Sequence, residues 1–201
     1  MISFKALKRF STLKTVSTTL TILSHNRLFK VDQVKNVGVL GAGQMGTGIG
    51  IVMAANAKKN VKLIDRDEQS LSKSRKFVET FLEKEVTKNK ITSDDRYKIL
   101  ERFSYSLNVQ DLHDHQFICE AVVENFEAKK KLYTELDNVV NKEAIFASNT
   151  SSISITKLAA TTKRPGQFIG MHWMNPVPVM KLVEIIRGLQ TSDDTLTLTR
   201  R

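Results

Sequence analysis

Within FIGMHWMNPVPVMKLVEIIRG, residues 168–188, two hydrophobic runs each carry one polar residue that core packing does not ask for: His172 and Glu184. Pro176 and Pro178 lack the N–H that a β-ladder needs, so they belong in a turn between two strands. A strand–turn–strand centred on Pro178 sets these residues, 12 apart in the chain, opposite one another with Cβ atoms about 5 Å apart. A carboxylate buried beside the imidazole would fix its tautomer. The free ring nitrogen could then take the hydroxyl proton of a secondary alcohol, or return a proton to a carbonyl oxygen. On spacing alone the plainer alternative stands level with this one: a satisfied core histidine and a surface glutamate.

Alcohol oxidation of that kind needs a hydride acceptor, and an earlier stretch offers a place for one. NVGVLGAGQMGTGIG puts Gly41, Gly43 and Gly46 after an apolar run and at the start of a helical pattern, with Gln44 and Met45 opening the helix. Gly41 would permit a tight turn, Gly43 would let backbone N–H groups approach a pyrophosphate, and Gly46 would let helix and strand pack closely. The helix N-terminus adds partial positive charge and free donors. Asp65 ends VKLID, 19 residues after Gly46, where a ribose-binding carboxylate is expected. It would accept both adenosine ribose hydroxyls and repel a 2′-phosphate, which favours NAD over NADP; Arg66 beside it could soften that preference. The alternative, a glycine-rich turn followed by a surface aspartate, needs three independent coincidences.

These residues must be carried by a scaffold. Apolar β-type runs occur at 36–40, 61–65, 117–123, 144–148, 168–173 and 181–186, with helical patterns at 44–58, 67–90, 94–103, 125–141 and 152–160. The alternation implies an α/β fold, a Rossmann-type doubly wound, mostly parallel sheet with helices on both faces.

Four stretches, GVLGAGQMGTGI, CEAVVENFEAKKKLYTELD, IFASNTSSISITKLA and FIGMHWMNPVPVMKLVEIIRGLQTS, together resemble the 3-hydroxyacyl-CoA dehydrogenase family, including 3-hydroxybutyryl-CoA dehydrogenases. The resemblance spans residues 36–195 and rests most on the last stretch, because the glycine loop is shared with other dehydrogenases. It implies NAD-dependent oxidation of (S)-3-hydroxyacyl-CoA in fatty acid metabolism, with His172 as acid/base and Glu184 as its partner. It also implies that Ser151 and Asn175 contact substrate and nicotinamide, that Glu124 and Lys129 lie along the cofactor, and that Lys88 or Lys90 holds the CoA moiety. Trp173 and Met174 depart mildly from the family pattern.

Each of these residues has a plainer reading. Ser148, Ser151 and Ser152 could cap the helix read at 152–160, Glu124 could be an N-cap, and Lys129 could be a surface lysine. His25, His113 and His115 read as solvated. Cys119, the single cysteine, excludes an internal disulfide and reads as a small core residue, with a reactive thiol as the lesser alternative.

Family members carry a further all-helical domain that completes the acyl-CoA cleft and makes their homodimer. The chain stops at TSDDTLTLTRR, read over 191–201 as the truncated start of the next helix, after a dinucleotide-binding domain over 33–190. Exposed apolar surface, a half-open cleft and weak or absent turnover are the expectation for the chain alone. The second class of function is then a catalytically weak NAD-binding fragment or module lacking the second half of the substrate cleft.

The net charge of +10 invites a nucleic-acid reading, but six lysines and arginines fall within the acid-free residues 1–30, leaving +4 for the rest. Those left alternate with acids on helix faces, and neither an aromatic-basic RNA signature nor zinc-ligand spacing occurs. No apolar run approaches the roughly 20 residues of a membrane helix. Residues 1–32 read as a mitochondrial transit peptide, since Phe4, Leu7, Phe10 and Leu13 share one helical half and Lys5, Lys8 and Arg9 the other, or as a disordered leader. The compartment implied is the mitochondrial matrix, with the cytoplasm as the alternative.

Overall fold

The computed structural model describes residues 33–200; the leader read over residues 1–32, with His25, lies outside them. The described chain runs β1 (Asn36–Leu40), α1 (Gln44–Ala55), β2 (Asn60–Ile64), α2 (Glu68–Thr87), α3 (Ser93–Glu101), β3 (Phe103–Ser106), β4 (Phe117–Glu120), α4 (Phe126–Val139), β5 (Ile145–Ser148), α5 (Ile155–Ala159), β6 (Phe168–Trp173), β7 (Val183–Arg187) and α6 (Asp193–Thr199).

One sheet orders these strands β3-β2-β1-β4-β5-β6-β7. All neighbours pair in parallel except β6 and β7, which are antiparallel. The central strands read as continuous apolar runs because helices cover both of their faces: every residue of β4 and β5 is buried. Alternate side chains enter two separate cores. Val39, Cys119, Ala147, Met171 and Trp173 join the α1 and α2 side with Ile49 and Leu71. Leu40, Ile118, Phe146 and Phe168 join the α4 and α5 side with Tyr133, Leu136 and Leu158. The architecture is thus doubly wound, with one antiparallel edge strand.

The helix starts follow side-chain chemistry. Asp67 caps α2 by accepting from the Gln69 and Ser70 N–H groups, and Thr92 and Asp95 form a capping box on α3. At α1 the N-cap is Gly43, which offers no side chain, so no side-chain cap bond is made there.

Three expectations need correction. The helix read at 94–103 gives way to β3, whose Phe103 already pairs with Val61. The segment FSYS is short and only partly buried, so no apolar run announced it. The strand read at 117–123 ends at Glu120, and the helix read at 152–160 begins only at Ile155, because residues 150–152 form a turn tied to Glu124.

Candidate active site

In an open parallel sheet, ligands bind beyond the carboxyl ends of the strands, where the strand order reverses. Here the reversal falls between β1 and β4. The loop after β1 is the glycine loop, and it lies against the segment after β4: a Cβ on Gly41 would stand 2.6 Å from the Ala121 carbonyl oxygen. Gly41 has φ +96°, a conformation side chains disfavour, and its N–H donates to the Ile64 carbonyl at 2.8 Å. A Cβ on Gly46 would collide with the Gly41 carbonyl oxygen, whereas one on Gly43 would meet nothing within 4 Å.

Gly43 therefore faces open space at an uncapped helix N-terminus, with Gln44 exposed beside it and Met45 half-buried. A bare concavity of this sort suits a pyrophosphate. Asp65 follows β2, half-buried, and ties the loop down: Oδ2 accepts from the Ala42 N–H at 2.7 Å and Oδ1 from the Asp67 N–H at 3.1 Å. Uncapped donors, an open glycine and an acid at the tip of β2 fit the phosphates and ribose of a dinucleotide.

His172 and Glu184 are direct cross-strand partners in the β6/β7 ladder. His172 Nδ1 lies 2.8 Å from Glu184 Oε2. One departure from expectation is that the carboxylate is not buried: the side chains are 24% and 52% exposed. Beyond His172, Asn175 Oδ1 accepts from Gln44 Nε2 at 3.2 Å. Val177, 3% exposed, packs on α1, where a Cβ on Gly48 would stand 2.7 Å from its Cβ. The proline segment thus bridges the His172–Glu184 pair and the glycine loop. Val179, Met180 and Leu182 on the same segment are exposed.

The third part of the site is a polar chain that joins Glu124, Lys129 and Ser151 to residues the sequence did not single out. Lys129, for which a surface position was the alternative, is 1% exposed and pairs with both Glu120 and Glu124. Glu124 Oε1 accepts from the Thr150 hydroxyl at 2.5 Å, the Ser151 N–H at 3.0 Å, and the Ser152 N–H and hydroxyl at 3.3 and 3.1 Å. Burial pushes the Glu124 carboxyl up, but the Thr150 hydroxyl, the Lys129 ammonium and the Ser151 N–H outweigh it and hold it down at about 2. Glu124 is no N-cap: Asn125 caps α4, and Ser154 rather than Ser148, Ser151 or Ser152 caps α5. Ser151 is exposed, with its hydroxyl 3.4 Å from Glu124 Oε1.

Glu120 and Asn149 were missed. Glu120 hid inside an apolar run; the signal was a lone acid in a strand buried throughout. Asn149 Oδ1 accepts from the Trp173 N–H at 2.8 Å, linking the turn to the end of β6.

Lys88 and Lys90 stand away from these groups, at and beyond the end of α2, both exposed and paired with Glu85 at 3.9 and 3.0 Å. Lys90 borders a cleft of about 520 Å³ with Ile51, Phe81, Arg102 and Pro178; Lys88 does not. His113 is exposed as expected, but His115 is 5% exposed, and burial holds its imidazole below the ordinary range against the pull of Asp114. Among the described residues no group of three or more histidine, cysteine or acid side chains could hold a metal ion, and no helix is long and apolar enough to cross a membrane.

Residues 36–201 match the family model described as "3-hydroxyacyl-CoA dehydrogenase, NAD binding domain". The chain is 47% identical over 162 residues to 3-hydroxybutyryl-CoA dehydrogenase of Bradyrhizobium diazoefficiens, covering 81% of this chain and 55% of that protein. It is 42% identical over 170 residues to mitochondrial hydroxyacyl-coenzyme A dehydrogenase of Sus scrofa, covering 81% and 54%. The crystal structure of (S)-3-hydroxybutyryl-CoA dehydrogenase from Ralstonia eutropha superposes with a TM-score of 0.80 at 44% identity, covering 83% of this chain and 59% of that one. The chain spans a little over half the length of these relatives.

Proposed function

Since the chain belongs to the 3-hydroxyacyl-CoA dehydrogenase family, as its NAD-binding domain, we propose that it serves the reversible NAD-dependent oxidation of (S)-3-hydroxyacyl-CoA to 3-oxoacyl-CoA in fatty acid metabolism. The observation that carries this reading is the His172 Nδ1 to Glu184 Oε2 bond of 2.8 Å, joined through Asn175 and Gln44 to an open glycine loop.

Bound NAD would supply a hydride acceptor for the carbinol carbon. The chain's own residues do the rest. The α1 N-terminus and Gly43 receive phosphate, and Asp65 receives the ribose hydroxyls. Glu124 and Lys129 line the cofactor, while Gln44 and Met45 flank it. Glu184 holds Nδ1, so Nε2 is the atom that takes the substrate hydroxyl proton, and the carboxylate offsets the imidazolium charge that results. In the reverse direction the same atom returns the proton to the carbonyl oxygen. Ser151 and Asn175 border the space where the acyl chain and nicotinamide would meet. Lys88 or Lys90 would hold the CoA phosphates.

The compartment proposed is the mitochondrial matrix. The acid-free, basic residues 1–30 and the word "mitochondrial" in the name of the Sus scrofa relative support it; the cytoplasm is the alternative.

A second reading, a catalytically weak NAD-binding module, is favoured by the openness of the site. Glu184 is 52% exposed, and Val179, Met180 and Leu182 beside it are bare. Loss of NADH absorbance with acetoacetyl-CoA separates the two. Turnover that disappears in His172→Ala supports the oxidoreductase; NADH binding with no turnover supports the module. Tighter binding of NADPH than of NADH would overturn the role given to Asp65.

A further inference from the structure

Glu120 ends β4, beside the point where the strand order reverses, and is 0% exposed. A carboxylate in such a place must be paired and hydrogen-bonded, or it is protonated or expelled. Its Oε1 accepts from Lys129 Nζ and from the Val122 N–H at 2.8 Å, and its Oε2 from the Ser148 hydroxyl at 2.7 Å. Lys129, also buried, reaches on to Glu124 Oε2 at 3.2 Å. Glu124 Oε1 in turn gathers Thr150, Ser151 and Ser152. One carboxylate therefore holds both ends of the 148–152 turn: Ser148 directly, and Thr150 to Ser152 through Lys129 and Glu124.

Between those two holds lies Asn149. Its N–H donates to the Glu120 carbonyl at 2.8 Å, and its Oδ1 accepts from the Trp173 N–H. Trp173 directly follows His172. The chain of contacts thus runs from the buried acid to the strand end that presents the imidazole.

We infer that Glu120 is a positioning residue: its buried negative charge keeps Lys129 in the core, and so fixes the 148–152 turn and the end of β6 relative to each other. This deepens the dehydrogenase reading and rests on it for its functional meaning. Charge matters here more than shape. A glutamine at 120 can still accept from Ser148 and Val122, but it offers Lys129 only a neutral partner. The ammonium is then drawn towards Glu124, whose side chain is 38% exposed, and the turn that Glu124 gathers moves with it.

The sole tryptophan makes this measurable. Trp173 packs in the core on the α1 side, while Tyr133 and Glu120 occupy the opposite face. Its emission reports the strand end without touching the substituted side chain. Glu120→Gln is expected to keep its far-ultraviolet dichroism, to shift the emission of folded Trp173, and to weaken NADH binding about tenfold. Glu120→Asp, which keeps the charge, should restore part of both. Tyr133→Phe, which removes hydroxyl contacts of 3.4 Å to the same carboxylate and 3.3 Å to the Ala147 carbonyl but no charge, should change neither.

A folded Glu120→Gln with wild-type emission and wild-type NADH affinity overturns the inference. Should that variant not fold, Glu120→Gln combined with Lys129→Gln leaves no uncompensated buried charge and is measured in the same way. An emission shift then supports the inference and wild-type values overturn it. If the wild-type chain binds no NADH, the cofactor reading falls, while the emission comparison still decides the role of Glu120.

Discussion

Gln44 Nε2 donates to Asn175 Oδ1 across 3.2 Å, although the two residues are 131 positions apart. One opens α1 and the other follows β6, so this bond joins the glycine-loop end of the site to the strand that carries His172. The pair is exposed and contributes little to stability. What holds the two parts in place lies beneath it, where Val177 seats on Gly48 of α1.

Gly48→Ala tests that seating. In an exposed helix interior the change would gain about 1 kcal/mol in propensity. Here the new Cβ would stand 2.7 Å from Val177 Cβ and 3.3 Å from Pro178 Cδ, and overpacking costs about 1–3 kcal/mol. Overpacking wins: the urea midpoint should fall with an unchanged slope, and the proline segment should shift away from α1, weakening any turnover more than NADH binding. A rise in stability would show that the segment yields freely.

His172→Ala should lower kcat by about 10²–10⁴-fold, the range for a lost acid/base group, with NADH affinity nearly unchanged. Glu184→Gln should do less, about tenfold, because a side chain 52% exposed leaves water free to stand in for part of its electrostatic support. Steady-state rates with acetoacetyl-CoA and NADH check both. Equal losses would mean that Glu184 carries more than orientation.

The architecture was largely legible in the sequence because the central strands are buried on both faces and so appear as unbroken apolar runs, each followed by an amphipathic stretch. The cross-strand placement of His172 and Glu184 was legible from the prolines between them, which admit only a turn. Phe103–Ser106 escaped notice because a short, partly buried edge strand has no apolar signature. Glu120, and the burial of Lys129, escaped for a different reason. A buried ion pair is made from residue types that surfaces also use, and only the three-dimensional neighbourhood tells the two apart. Glu184 went the other way: its position opposite His172 followed from the chain, but its exposure depends on what lies beside it.

Glu124 gives the fold a signature at acid pH. Its carboxyl is held at about 2, against an ordinary value of 4.5, so the folded state binds this proton less readily than the unfolded chain. The stabilisation is complete above about 4.5 and is lost as pH falls towards about 2. Because the side chain is 38% exposed, water screens part of the effect, and the slope is the observable. Urea midpoints measured across that range should fall more steeply for the wild type than for Glu124→Gln. Parallel curves would place the acid sensitivity elsewhere.

Cys119 is the sole cysteine, in β4 with 0% exposure. Burial, and then the charge of adjacent Glu120, pushes its thiol up to about 12. Since the thiolate is the reactive form, both access and ionisation oppose modification, and a thiol reagent must wait for the sheet to open. Labelling of the native chain should therefore be slow, independent of reagent concentration when the reagent is in excess, and accelerated by urea in step with the loss of far-ultraviolet dichroism. Complete labelling within the mixing time in native buffer would mean that β4 is not the closed centre of the sheet, and the Glu120 pairing beside it would then lose its shelter from water.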